Sequence, residues 1–377
     1  MGNTLIIDGL GEGGTLVCSR PFSLMIKPVG GSCNLDCSYC YYRGLHGWGL
    51  LSMRQLESVF INYEASQPPG IPLTFIWHGG EPLLAGENYF REAVALQKEL
   101  FAGKREFENV LQSNAVLMTE SLADFLAGNG FLCGVSVDGP EYLHDISRRT
   151  LSGKGSWKMA VNGIKMLAAA GARINAMVAV GKHNVAHPAE VYCFLKDIGL
   201  EYIQLLPVAE GPSGRLEGEE WGDFLCAVFD LWRSSDIGRV FVNYFDNTLA
   251  LHAGLRPDMC VLARECPPCP SIETCGDVYA CDHLSRPLHG NIFAVPLADV
   301  MSSAHEQAHE TGKFLSLSEE CRSCPYLRLC NGDCPVHRTA RTEKGEGISS
   351  LCISYRKYFA YTYGFFSEWA SSIAPVP

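Results

Sequence analysis

Cysteine placement limits this chain more than any other feature. Seventeen cysteines are spread very unevenly over 377 residues. Cys33, Cys37 and Cys40 lie within one short loop. Cys260, Cys266, Cys269, Cys275 and Cys281 form a second run, and Cys321, Cys324, Cys330, Cys334 and Cys352 a third. Cys18, Cys133, Cys193 and Cys226 stand apart and read as small buried hydrophobes. A secreted disulfide scaffold is usually short and carries an export signal. Residues 1–21 are Gly-rich, without a basic start followed by an apolar core, so no signal peptide is visible. The Met-Gly start has Ile6 where a myristoylation signal needs Ser or Thr. The expected location is cytoplasmic, where tightly spaced thiols point to metal.

The remainder of the chain supplies a conventional core. Apolar residues make up 47% of the sequence, and no run reaches the roughly 18 apolar residues of a membrane span. The net charge of −11 argues against a nucleic-acid surface. Short apolar runs at Ser23–Val29, Leu73–His78, Asn109–Ser113, Leu132–Val137, Arg173–Val180 and Tyr202–Val208 read as buried parallel strands. Helical periodicity fills the gaps at Met53–Ala65, Asn88–Phe101, Thr119–Gly128, Trp157–Ala170 and Pro188–Ile198. Six β-then-α repeats predict a parallel α/β sheet, either an open barrel or a doubly wound sheet. A partial barrel would place its chemistry on the loops after the strand C-termini. Helical pattern resumes at Trp221–Trp232. From about residue 255 the sequence turns to Cys, Pro and Gly, too poor in apolar periodicity to stand without a staple. A last helix is expected over Tyr355–Ala370.

The first cysteines form C-x3-C-x2-C in CNLDCSYC, directly after the first predicted strand. Three thiolates can hold three irons of a cubane cluster and leave the fourth open, whereas four cysteines would close it. An open iron can bind the amino and carboxylate groups of S-adenosylmethionine and pass an electron to its sulfonium. A zinc site lacking its fourth ligand is the other reading of these thiols. The motif is similar to the signature of the radical S-adenosylmethionine superfamily. That resemblance implies a partial (β/α)6 barrel of TIM type, with Tyr39 near the adenine of the cofactor. Gly79-Gly80-Glu81-Pro82 resembles the family's GGEP motif, whose backbone and Glu81 receive the methionine amino group; alone it is a turn with a carboxylate. Ser136, in VSVDGP, and Arg148, in HDISRR, match positions that contact the ribose and carboxylate of the cofactor in relatives.

The later cysteines resemble the SPASM extension, which carries two auxiliary 4Fe-4S clusters. That pattern implies Cys260, Cys266, Cys281 and Cys334 for one cluster and Cys321, Cys324, Cys330 and Cys352 for the other, making three 4Fe-4S clusters in all. Cys269 and Cys275 are surplus. Paired zinc ribbons are the competing reading of the spacing. The implied layout is an N-terminal extension (1–21), the barrel (22–210), a bridging helical segment (211–254), a two-cluster domain (255–352), and a C-terminal helix and tail (353–377).

Across nearly the whole chain the sequence resembles anaerobic sulfatase-maturating enzymes, in MIKPVGGSCNLDCSYCYY, FIWHGGEPLLAG, YFDNTLA and GDVYACDH. The resemblance implies oxidation of a Cys or Ser in a sulfatase to formylglycine. It also implies Asp282 as the base on the substrate side chain and an external one-electron donor such as flavodoxin or ferredoxin. Ser113-Asn114-Ala115 departs from the relatives' Thr-Asn-Gly, placing Ala where Gly would allow positive φ. Relatives that crosslink ribosomal peptides through C–C or thioether bonds share the cluster motifs and form the alternative. Only some 22 residues precede the first expected strand, so a fused leader-peptide-binding domain is not expected, although a separate one could exist.

Overall fold

The computed structural model describes residues 17–18, 20–44, 49–283, 287–302 and 312–373. Most of the expected N-terminal extension, Ile6 included, and the tail from 374 lie outside them.

Seven parallel strands build the body of one sheet: β1 (Leu24–Ile26), β2 (Leu73–Trp77), β3 (Phe107–Ser113), β4 (Leu132–Ser136), β5 (Arg173–Val180), β6 (Tyr202–Pro207) and β7 (Phe241–Val242). The connecting helices are α1 (Met53–Ser66), α2 (Glu87–Phe101), α3 (Glu120–Gly128), α4 (Glu141–Ser147), α5 (Trp157–Ala169) and α6 (Pro188–Asp197). The expected β/α alternation is therefore present, with strand and helix limits close to those read from the periodicity.

Local chemistry explains the helix starts. Ser52 and Gln55 form a reciprocal capping box on α1. Thr119 accepts from the Leu122 N–H at the start of α3. Pro188 opens α6, where a missing N–H removes no helical bond. The strands bury alternate residues against the helix layer, as in the pattern of β2. Phe60, Phe75 and Trp77 meet edge to face there, with centroids 4.8 and 6.3 Å apart.

The sheet extends further than the periodicity foretold. β8 (Ser271–Ile272) pairs in parallel with β1, and β9 (Asp277–Tyr279) and β10 (Pro287–Asn291) follow antiparallel. β8 and β9, of two and three residues, are too short to show an alternation, so periodicity could not mark them in this cysteine-rich stretch. On the far side, α7 (Glu220–Ser235) and α8 (Asn243–His252) pack against the C-terminal helix Cys352–Ser372. Trp221, Trp232, Tyr244, Tyr355 and Tyr358 are buried in that contact.

Ala115 does take positive φ, at 58°. Its carbonyl lies against α5, where a Cβ built on Gly163 would come 2.1 Å from the Ala115 oxygen. Gly364, in the C-terminal helix, has nothing within 4 Å of its own Cβ position. The same substitution should therefore act in opposite directions. Gly364→Ala should stabilise by roughly 1 kcal/mol through helix propensity. Gly163→Ala should destabilise, because rigid backbone meets the new methyl. Thermal midpoints of the two variants check this, and a raised midpoint for Gly163→Ala would refute it.

Candidate active site and thiol clusters

The loop after β1 carries Cys33, Cys37 and Cys40, and the end of β2 holds it in place. Gly80 N–H donates to the Gly30 carbonyl at 2.9 Å, and Glu81 N–H to the Ser32 carbonyl at 2.8 Å. The approach excludes side chains. A Cβ on Gly79, whose φ is +110°, would lie 2.5 Å from the Gly30 oxygen, and one on Gly80 would lie 2.1 Å from that of Ser32. The Gly-Gly pair is thus required by contact with the cysteine loop, beyond any role toward a ligand.

Glu81 is fully buried. Its carboxylate accepts from Ser113 Oγ (2.8 Å), Asn114 N–H (2.7 Å) and Leu83 N–H (3.1 Å). Burial pushes its pKa up, against these three donors. Ser113 keeps the hydroxyl that binds Glu81. Asn114 Nδ2 reaches back to Asn34 Oδ1 at 2.8 Å and lies 3.8 Å from Cys33 Sγ. Ser136, at the end of β4, accepts from Gln112 Nε2 at 3.1 Å.

Tyr39 and Arg148 come together across the same mouth, Arg148 Nη1 donating to the Tyr39 oxygen at 2.7 Å. Arg148 Nε is buried without a partner among the described residues. Such a donor calls for an acceptor that the protein itself does not provide, which suits an anionic group of a ligand. Sequence reasoning missed two neighbours here, Asp138 and His183. Asp138 stood inside the quoted VSVDGP but carried no spacing signal.

Asp282 lies at the sheet edge beside the cysteine loop. Its carboxylate accepts from the hydroxyls of Tyr41 and Tyr42 and forms an ion pair with Lys27 at 3.0 Å; His78 Nδ1 is 3.6 Å away. Burial alone would raise its pKa. His78, Lys27 and the two phenols outweigh that and hold the carboxyl well below the usual range. Lys27 is itself buried and also binds Glu273 at 2.7 Å. None of Lys27, Tyr41, Tyr42 and His78 was singled out by sequence, although each lies inside a quoted motif.

The later cysteines fall into two neighbourhoods. Cys321, Cys324, Cys330 and Cys352 line one recess, walled by Tyr326, Tyr355 and Phe359. Four thiols around one recess with apolar walls fit a cubane cluster. Cys260 and Cys266 interact electrostatically with each other and with Cys334. Cys281 interacts with Cys269, which the spacing had left aside. Burial pushes the Cys33 thiol up to about 11 and Cys334 to about 12. Each must therefore give up its proton to bind iron. Among the described residues, no three His, Cys, Asp or Glu side chains converge as they would on a single ion.

Between the two neighbourhoods, buried Asp333 accepts from Ser349 Oγ at 2.7 Å and pairs with His337 Nδ1 at 2.9 Å. Burial opposes the His337 cation, but Asp333 and Glu210 outweigh it and raise the pKa to about 9. A raised folded-state pKa gives stability that is complete below the unfolded value near 6.5 and lost as pH climbs through 9. The margin is on the order of 3 kcal/mol. His337→Gln should therefore lower the thermal midpoint of the reconstituted protein at pH 6, and by much less at pH 9.5. An equal loss at both values would contradict the charged pair.

Residues 28–195 match the model of the radical SAM superfamily. The serine-type anaerobic sulfatase-maturating enzyme of Bacteroides thetaiotaomicron is 37% identical, over 91% of this chain and 90% of its own. The cysteine-type enzyme of Clostridium perfringens strain 13 is 28% identical, over 91% and 96%. The solved structure of native anSMEcpe with bound AdoMet and Kp18Cys peptide superposes with a TM-score of 0.86 at 28% identity, covering 94% of this chain and 100% of that one. The chain belongs to the anaerobic sulfatase-maturating enzymes of the radical SAM superfamily.

Proposed function

We propose that this protein oxidises a serine or cysteine side chain of a sulfatase polypeptide to formylglycine. Serine is favoured, since the serine-type relatives reach 32–37% identity and the cysteine-type relatives 28%. The observation that carries the reading is the position of Asp282, a buried carboxylate beside the Cys33–Cys40 loop at the strand C-termini, where the chemistry of such barrels sits.

Cys33, Cys37 and Cys40 would hold the cofactor-binding cluster. Cys260, Cys266, Cys281 and Cys334 would hold a first auxiliary cluster, and Cys321, Cys324, Cys330 and Cys352 a second. When bound, the first cluster with S-adenosylmethionine supplies the 5′-deoxyadenosyl radical that removes a substrate β-hydrogen, and the auxiliary clusters supply the acceptor for a second electron.

The chain's own side chains do the rest. Gly79, Gly80 and Glu81 present backbone and carboxylate to the methionine amino group. Ser136 faces the ribose, Tyr39 the adenine, and the unpaired Nε of Arg148 the cofactor carboxylate. Asp282 accepts the hydroxyl or thiol proton of the substrate, which makes the carbon radical easier to oxidise. A carboxylate held this low is a weak base until a partner leaves, so the incoming side chain must take the place of Tyr41 or Tyr42. Lys27 then keeps the carboxylate aimed. Losing two electrons and two protons converts a serine to the aldehyde; a cysteine gives a thioaldehyde that water hydrolyses.

A one-electron donor of the flavodoxin or ferredoxin type would reduce the enzyme. The cytoplasm is the proposed location, because closely spaced cysteines of this kind suit metal clusters in a reducing compartment. Among the described residues no helix is long and apolar enough to cross a membrane.

Asp282→Asn keeps the shape and removes the proton acceptor. It should still form 5′-deoxyadenosine in the presence of a sulfatase-type peptide, while formylglycine falls by about 10²–10⁴-fold. Wild-type aldehyde yield, read by peptide mass and hydrazine reactivity, would remove Asp282 from the mechanism. A crosslinked peptide without carbonyl from the wild-type enzyme would replace the formylglycine reading with a peptide-crosslinking one.

A further inference from the structure

Asp138 lies two residues past the end of β4, and its side chain is completely buried. Its Oδ2 accepts the Tyr39 hydroxyl at 2.6 Å, and its Oδ1 accepts the Ala179 N–H of β5 at 3.0 Å. The backbone around it is equally fixed. The Asp138 N–H donates to His144 Nδ1 at 3.3 Å, and its carbonyl accepts from Asn184 Nδ2 at 2.9 Å. The His183 ring lies against Tyr39 nearly parallel, at 17° with centroids 5.5 Å apart. His183 Nε2 is 3.4 Å from Asp138 Oδ2.

Tyr39 is therefore held at both ends. One face of its ring is covered by His183. Its hydroxyl donates to Asp138 while accepting from Arg148 Nη1, so Arg148 and Asp138 are joined through the phenol rather than by a direct ion pair. Arg148 retains a buried Nε with no partner among the described residues. A carboxylate whose only task was to neutralise Arg148 would pair with it directly, because a bidentate contact is the stronger arrangement. Here the carboxylate fixes an aromatic ring first and a guanidinium second.

We infer that Asp138 is a positioning residue for S-adenosylmethionine. It locks the Tyr39 ring as the surface for the adenine and, through the shared hydroxyl, fixes the Arg148 fork so that its Nε–H stays free for the cofactor's carboxylate. His183 backs the ring and leaves only its other face for a base. The inference rests on the cofactor contacts proposed for Tyr39 and Arg148.

The test measures cofactor affinity without turnover. Enzyme reconstituted anaerobically with iron and sulfide is dialysed to equilibrium against labelled S-adenosylmethionine in the absence of reductant, and iron content and thermal midpoint are recorded for every variant. Asp138→Asn and Tyr39→Phe should each bind the cofactor about tenfold more weakly at wild-type iron content and midpoint. The double variant should lose no more than the weaker-binding single variant, since residues acting through one hydrogen bond do not add. Should the Asn variant fail to fold, Asp138→Glu, which keeps the charge and displaces the carboxylate, should show the same loss. Unchanged affinity in Asp138→Asn, additive losses, or a loss that tracks iron content would overturn the inference. If Tyr39→Phe and Arg148→Met weaken binding while Asp138→Asn does not, the cofactor contacts stand and only Asp138 is misassigned. If Tyr39→Ala and Arg148→Met bind normally, those contacts fall and the inference with them.

Discussion

The architecture depends on one buried cation. Lys27 leaves the end of β1 and pairs with Glu273, just past β8, and with Asp282, just past Cys281. Removing an ammonium from water is costly unless carboxylates surround it. Both carboxylates come from the cysteine-rich segment and the lysine from the barrel. The pair of contacts thus sets how the two halves of the protein meet. The parallel ladder between β1 and β8 fixes the same junction through the backbone. The loop of Cys33, Cys37 and Cys40 begins a few residues after Lys27, so the junction that joins the halves also brings Asp282 to the end of the barrel that carries those cysteines.

A second constraint operates on the other side of that loop. Backbone hydrogen bonds from Gly80 and Glu81 to Gly30 and Ser32 leave no space for a Cβ. Glu81 then reaches across to Ser113 and Asn114 at the end of β3. The ends of three neighbouring strands are joined by buried polar contacts, and Asn114 carries them back to Asn34 in the cysteine loop. Such satisfied networks rigidify a site. Pre-organisation matters for a radical enzyme, because the cofactor must be held in one geometry before its bond breaks.

The sequence made the barrel legible because its strands and helices are long enough to show their periods. Arg173–Val180 and Pro188–Asp197 stand where alternation and helical spacing put them. Cysteine spacing grouped Cys321, Cys324, Cys330 and Cys352, and these four do line one recess. The strands β8 and β9 escaped because pairs and triplets of residues carry no period, and β10 because its sequence PLHGN, with Pro and Gly, shows no alternation of apolar residues. Lys27, Tyr42, His78, Asp138 and His183 escaped for another reason. Each matters through a partner far away in the chain, and a single sequence records no such pairing. Ala115 was flagged for its departure from glycine, and the backbone there does adopt positive φ with the methyl in place.

We propose that three groups of thiolates hold three cubane clusters, one of them open to S-adenosylmethionine. Iron and acid-labile sulfide, counted after anaerobic reconstitution of the wild type and of a variant with Cys33, Cys37 and Cys40 all replaced by Ala, test it most directly. About twelve irons are predicted for the wild type, and about eight for the variant, which should form no 5′-deoxyadenosine. Stoichiometric zinc with little iron, or cofactor cleavage that survives in the triple variant, would contradict the account.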